Sequence, residues 1–390
     1  MSSSSPPCEA RQLILPKLLH TSTPHLSSLL FDPKSSSLAF RHFDSSFSLY
    51  PCVNPLTLSS FPSPQTLIPS PTSSAAFLHL QTSPESTTTL FITCSPVPRP
   101  PSSTLFRFYV LRDDRFGKIK VSSNHRDLEW NQSKGGVVFN THHGVSMKLS
   151  GGINVFSLYS VSNAKIWVFA VRLIVDHGGA EALKLMKCAV IDCCFPIFEI
   201  RVLFGFLILG EEKGVRVFPL RPLVKGKQRK EKKSGGKRLN LQSGSSNGGK
   251  TMARDGDSIK LRFMKLRQDS KHTGGVFVAF GNEDFNGSVS VKMPGKSVKA
   301  ISVEALSVTK FVILDSIGNL HVLCLSSSLH GLDTCCVMKQ TTQTMKVLKM
   351  AVFNDVSTVT QAILTSEKVH DIVPLDANSI LILGQGIYQF

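Results

Sequence analysis

The residues of this chain best suited by type and spacing to do chemistry lie in one stretch. Between positions 225 and 238 stand Lys225, Lys227, Arg229, Lys230, Lys232, Lys233, Lys237 and Arg238, against a single acid, Glu231. Dense lysine charge on an extended segment suits the acidic, aromatic-lined groove of a nuclear import receptor. It also suits the phosphates of RNA or DNA, bound through counterion release without sequence preference. The plainest alternative is a loop whose charge only keeps it in solution. No aromatic residue lies between Lys225 and Arg262, so bases find no stacking platform in the run, which favours import over the reading of RNA.

A second signal follows directly. Gly244-Ser245-Ser246-Asn247-Gly248-Gly249-Lys250-Thr251 satisfies the phosphate-loop pattern, with Gly244, Gly249, Lys250 and Thr251 at its defining positions. Phe311 to Asp315 is then the strand that would bring a carboxylate to magnesium. Context opposes the match. A phosphate loop follows a buried strand and opens a helix, so that amides converge on the phosphates. Here the preceding residues are lysine-rich with only Leu239 and Leu241 apolar, and Ala253-Arg254-Asp255-Gly256-Asp257 makes a poor helix.

Other chemistry is thinner. His142-His143 has no Cys, Asp or Glu within a few residues to complete a metal site. His321 sits on an alternating segment beside Leu320 and Val322, where a satisfied, partly buried imidazole is the default. The nine cysteines include the adjacent pairs Cys193-Cys194 and Cys335-Cys336, without the two-residue spacer of a zinc or redox motif. They read as reduced, buried thiols in a reducing compartment. No nucleophile elbow is present and carboxylates are sparse, so catalysis has no support and neither cofactor nor metal is expected.

The composition sets the frame for these residues. In 390 residues, 42% are hydrophobic and 18% charged, which excludes a wholly disordered chain and a coiled coil. The formal charge is +17, from 44 basic residues against 27 acids, and points to an acidic or phosphate-bearing partner. From Lys225 to Lys271, 15 bases face four acids, so most of the excess lies in one polar, glycine-rich segment that cannot build a core. The most apolar stretch, Leu185 to Gly210, is broken by Lys187, Asp192, Glu199 and Arg201; it is too interrupted to cross a bilayer, and no membrane partner is expected.

Around that segment a rhythm of three apolar strands and two turns recurs. It runs through Leu26–Phe31, Leu38–Phe40 and Phe47–Tyr50, then Ala76–Leu80, Leu90–Cys94 and Leu105–Val110, then Gly144–Leu149, Val155–Tyr159 and Lys165–Val171. A fourth instance takes Lys187–Ile191, Phe206–Leu209 and Val215–Leu220. A fifth takes Val298–Glu304, Phe311–Leu314 and Leu320–Leu325, and a sixth His370–Leu375, Ile380–Leu383 and Ile387–Phe390. Turns rich in Gly, Asp and Asn join second strands to third, where a tight hairpin needs residues tolerant of positive φ. One short helix is expected over Gly179–Lys187. The Ser- and Pro-rich N-terminus would suit an organelle transit sequence, but its strand rhythm favours a first folded repeat.

This pattern resembles a WD-repeat-like, transducin-type β-propeller, in which each blade is a four-stranded meander and third strands end on an apolar or aromatic residue. The landmarks here are Tyr50, Phe108, Phe169, Phe218, Leu323 and Phe390. The resemblance covers residues 25 to 390, without the Trp-Asp dipeptide or a recurring Gly-His opener. A pair of β-sandwiches is the structural alternative.

The sequence therefore predicts an all-β, divergent β-propeller of four-stranded meander blades with a disordered basic insertion. Residues 1–24 form a disordered N-terminal tail, 25–224 the first blades, 225–258 the basic low-complexity loop and 259–390 the remaining blades. Because the chain stops within a third strand, the ring is expected to be incomplete, with an unpaired edge. The resemblance implies a non-catalytic protein-interaction scaffold, nuclear if the basic run is an import signal and cytoplasmic if it is not. Its partners would be other proteins, including an import receptor. The rival is a nucleic-acid-associated protein using the loop; the remote one binds nucleotide at Gly244 to Thr251.

Overall fold

The computed structural model describes residues 11–13, 26–53, 64–69, 71–97, 103–123, 125–140, 146–175, 179–225, 275–280, 297–327, 334–344, 369–375, 380–384 and 386–389. They form a six-bladed β-propeller. Alternation makes the blades: in β6 (Ser74–Gln81) Ala76, Leu78 and Leu80 are buried on one face, so the strand is stable only with a neighbouring sheet packed against it.

The first blade is the meander β2 (Leu26–Asp32), β3 (Ser37–His42), β4 (Phe47–Tyr50) and β5 (Thr66–Ile68). The second follows β6 with β7 (Thr87–Val97) and β8 (Ser103–Arg112). The outer edge of β8 is shared, its first half pairing β12 (Gly136–Phe139) and its second half β9 (Arg115–Lys118), while β11 (Leu128–Asn131) flanks β12. The third comprises β13 (Met147–Gly151), β14 (Val155–Ser160), β15 (Lys165–Val175) and β16 (Glu181–Asp192), with β10 (Lys120–Ser123) added parallel to β16. The second and third blades are thus laced together by one connection.

The fourth blade contains β17 (Glu199–Leu203), β18 (Phe206–Glu211), β19 (Gly214–Pro219) and β20 (Val276–Ala279), with the short helix α1 (Leu220–Lys225) leaving β19. The fifth contains β21 (Ala300–Ala305), β22 (Lys310–Asp315), β23 (Asn319–Ser327) and β24 (Thr334–Thr344). The sixth contains β25 (Asp371–Pro374), β26 (Ile380–Leu383) and β27 (Ile387–Gln389) and takes its outermost strand from the other end of the chain: β1 (Arg11–Leu13) pairs antiparallel with β27, Leu13 opposite Ile387.

The core lies between blades. Phe106, Phe108, Phe139, Phe156, Trp167 and Phe169 fill the space between the second and third, where Phe156 and Phe169 stack at 4.9 Å between centroids. Leu13, Leu26, Leu29, Phe40, Tyr50, Leu381 and Ile387 join the sixth to the first. In the third blade, close approach of its two neighbours requires glycine at two successive positions. A Cβ on Gly151 would lie 1.9 Å from the Phe77 carbonyl oxygen, and one on Gly152 would lie 2.5 Å from the Val202 side chain.

Several expectations are corrected. The ring is closed rather than open-edged, because β1, within the segment assigned to the tail, supplies the missing pairing. Gly179–Lys187 is not helical: Glu181–Asp192 is one long strand held by β15 on one side and β10 on the other, so sheet pairing overrides local helix preference. Lys187–Ile191 accordingly belongs to the fourth strand of the third blade, and the inner strand of the fourth is Glu199–Leu203. The strand alternation predicts Val322 buried, but in β23 the buried phase is His321, Leu323 and Leu325, and Val322 is half-buried. Leu49, Phe108, Phe169, Val217 and Leu381 are buried as the alternation requires. Phe390 lies outside the described residues.

Closure by β1 predicts that Leu13→Ala, removing a side chain 3% exposed, lowers unfolding free energy by about 2 kcal/mol or more. The urea midpoint of the purified chain measures this. A tail without tertiary contacts would leave it unchanged.

Candidate interaction surface

Radial meanders put their turns on two rims. First-to-second-strand hairpins and third-to-fourth connections lie on one, the inner-hairpin rim. Second-to-third-strand turns and blade-to-blade connections lie on the other.

The charged groups beneath these rims fasten blades and turns. Asp315 closes β22, where its Oδ1 accepts the backbone N–H groups of Ile317 (2.9 Å) and Asn319 (2.8 Å), and its Oδ2 accepts Asn319 Nδ2 (3.0 Å). His321 Nε2 completes the set at 2.9 Å, with both side chains almost wholly buried. The imidazole stacks on Phe280 at 4.1 Å, and its Nδ1 is buried without a hydrogen-bond partner. Burial alone would raise the Asp315 carboxyl, but the hydrogen bonds from His321 and Asn319 outweigh it and hold the group below its ordinary value. Glu211 takes the same place at the end of β18 and receives Arg216 through two bonds, at 2.6 and 3.0 Å.

Asp32 does the equivalent work between the first two blades. It accepts Ser35 Oγ at 2.6 Å, Thr89 Oγ1 at 3.3 Å and His79 Nε2 of the next inner strand at 2.9 Å. Here too burial raises the carboxyl while the His79 and Ser35 bonds lower it further, leaving it below its ordinary value. Asp371 Oδ2 accepts the Leu29 amide at 2.8 Å across the sixth and first blades. Between the third and fourth, Ser150 Oγ accepts the Val202 amide at 2.9 Å, and Lys148 donates to the Phe198 carbonyl at 2.6 Å. Between the fourth and fifth, Arg201 donates to the Val303 carbonyl at 3.0 Å and pairs with Glu304.

The expectation of buried thiols is corrected in part: Cys94 is buried and Cys188, Cys193, Cys324 and Cys336 are half-buried, but Cys52 and Cys194, each in a turn or connection, are exposed. Burial pushes Cys94 and Cys193 up to about 12, far from the thiolate that nucleophilic or metal chemistry needs. Among the described residues no three His, Cys, Asp or Glu side chains gather as a metal site.

One cleft, of about 480 Å³, opens on the inner-hairpin rim between the first and second blades, lined by Lys34, Ser35, Thr87, Thr88, Thr89, Leu111 and Arg112. Arg112 is already engaged by Glu181 at 2.6 Å and by Thr88 at 3.4 Å.

Of the basic run, Lys225 stands exposed at the end of α1. Lys227, Arg229, Lys230, Lys232, Lys233, Lys237 and Arg238 lie outside the described residues, as do Gly244, Gly249, Lys250, Thr251 and His142-His143. The strand paired with the phosphate-loop signal is an ordinary second strand of the fifth blade, its Asp315 carboxylate wholly engaged by its own turn. Sequence reading missed the Asp32–His79 and Asp315–His321 pairs; an acid ending an alternating strand, before a Gly turn and a histidine in the inward phase, is the signal for the second.

No protein-family model matches the chain, and a search of curated proteins gives no match.

The lowered carboxyls of Asp32 and Asp315 fix the sign of acid sensitivity. Their stabilising contribution is fully present above the unfolded-state value, near 3.8, and is lost as pH falls through the lower folded values. The urea midpoint should hold steady to about pH 5 and fall below it, and Asp315→Asn should lose less between pH 5 and pH 3 than the parent chain. An equal acid loss in both would contradict this role for Asp315.

Proposed function

We propose that this chain is a non-catalytic protein-interaction scaffold of WD-repeat-like type, brought into the nucleus by the Lys225–Arg238 run. The observation that carries the reading is the use made of the buried charges. Asp32, Glu211, Asp315 and Asp371 are each satisfied by a neighbouring strand or turn, so the ionisable interior serves architecture and the rims remain to meet other molecules. Propellers serve widely in this way because rigid blades hold many independent turns in one surface. In the sequence the basic run begins at the last residue of α1, between the third and fourth strands of the fourth blade.

The test is Arg229, Lys230, Lys232 and Lys233 to Ala together, which removes four of the eight positive charges in the run. The expected result is a shift from nucleus to cytoplasm with an unchanged melting temperature. If the chain stays nuclear while its retention on RNA or DNA weakens and loses its salt dependence, the run is a phosphate-binding arm. Unaltered localisation and unaltered nucleic-acid retention would leave a solubilising loop and remove the nuclear assignment.

A further inference from the structure

The hairpin joining β17 to β18 holds an expensive residue. Leu203 pairs with Phe206, so the turn consists of Phe204 and Gly205 alone, and both have positive φ, at 44° and 83°. Glycine adopts this backbone freely, whereas a bulky side chain there is a genuine outlier. Asn-Gly is what such a turn asks for when folding alone decides. Phe204 does not offset its strain by burial, since it is 51% exposed. A strained, exposed aromatic is the kind of feature from which a functional hypothesis can be argued.

The equivalent hairpins on either side carry apolar tips as well. Ile153 is 44% exposed in the turn of the third blade and Val308 60% exposed in that of the fifth. The three hairpins are consecutive around the rim. Gly152 sits against Val202 of the fourth blade, and the Phe206 ring lies 6.3 Å from that of Phe311 in the fifth.

Positive charge lies beside the fourth- and fifth-blade hairpins. The first residue of α1 donates its amide to the Gly205 carbonyl at 2.8 Å, which fixes the helix beside the hairpin. Leu220 and Leu223 are buried beneath it, leaving Arg221 and Lys225 exposed. Lys310 is exposed at the base of the fifth-blade hairpin. Lys225 also opens the run of eight bases against one acid.

We propose that this face, built on Ile153, Phe204 and Val308 and rimmed by Arg221, Lys225 and Lys310, docks an acidic polypeptide segment that carries apolar side chains. The proposal rests on the scaffold reading and adds the face and the chemistry of the partner. Acidic residues answer the cations, and apolar side chains bury the three tips. Duplex nucleic acid would satisfy the cations but offers little to Ile153 and Val308. An anionic bilayer would cover a wider area and meet Glu85, exposed on this same rim in the second blade, whereas a narrow segment over the third to fifth blades avoids it.

The test uses the full chain and a fluorescein-labelled synthetic peptide alternating aspartate with leucine and phenylalanine. Controls are the same peptide with asparagine for aspartate, the same with alanine for leucine and phenylalanine, phosphatidylserine vesicles, and duplex DNA. Anisotropy should detect the acidic apolar peptide and at least tenfold weaker binding of both altered peptides. Phe204→Asn should weaken binding tenfold or more while raising the melting temperature, because Asn relieves the turn; loss of binding therefore cannot come from misfolding. Equal binding by Phe204→Asn, or preference for the vesicles or the DNA, would overturn the proposal. If partners retained from cells stay on Phe204→Asn at the parent level, this docking face falls and the scaffold reading stands; if the parent chain retains none, the scaffold reading itself falls.

Discussion

A sheet edge is a row of unpaired amides and carbonyls, and a ring of blades has no free edge to spare at the junction of its first and last. Here the constraint is met by Arg11–Leu13, which pairs with Ile387–Gln389 and places Leu13 in the cluster shared by the sixth and first blades. The two ends of the chain are joined in one sheet, so the closing blade cannot form until residues nearly the whole length of the chain apart have met. Such non-local pairing pays its loop-closure entropy before its contacts repay it.

The polar groups follow the same logic. Taking a carboxylate out of water is costly unless hydrogen bonds replace hydration, and each buried acid receives them from the element it must hold. Asp32 and Asp371 reach across to the next blade; Asp315 fixes the turn that ends its own strand, and Glu211 holds Arg216 of the strand that follows. Chemistry that would look catalytic in a cleft is here spent on register. That leaves exposed turn residues, rather than the interior, to distinguish one face of the ring from another, and Phe204 is the turn residue that local backbone preference explains least.

Much of the fold was legible because strand alternation is a local signal. Phe47–Tyr50, Ile380–Leu383 and their counterparts announce themselves in a few residues. What was not legible depends on distant partners. Arg-Gln-Leu has no strand pattern of its own, and only β27 makes it one. Ala180, Ala182, Leu183 and Leu185 satisfy a helix as well as a strand until β15 and β10 are in place. The four-residue strands β9 to β12 of the second and third blades, polar in part, were unmarked for the same reason. At the sites, composition alone exposed the basic run, while His321 and Phe204 required the phase of a strand and the sign of a dihedral angle.

The central claim is that the ring is a single closed unit held by its terminal strands, and native-state hydrogen exchange tests it most directly. The paired amides of Ile387–Gln389 and Arg11–Leu13 should exchange only with the global unfolding that releases Leu207–Leu209 in the buried middle of the fourth blade. Fast exchange of the terminal strands in protein whose fourth blade stays protected would contradict closure and leave the sixth blade open-edged.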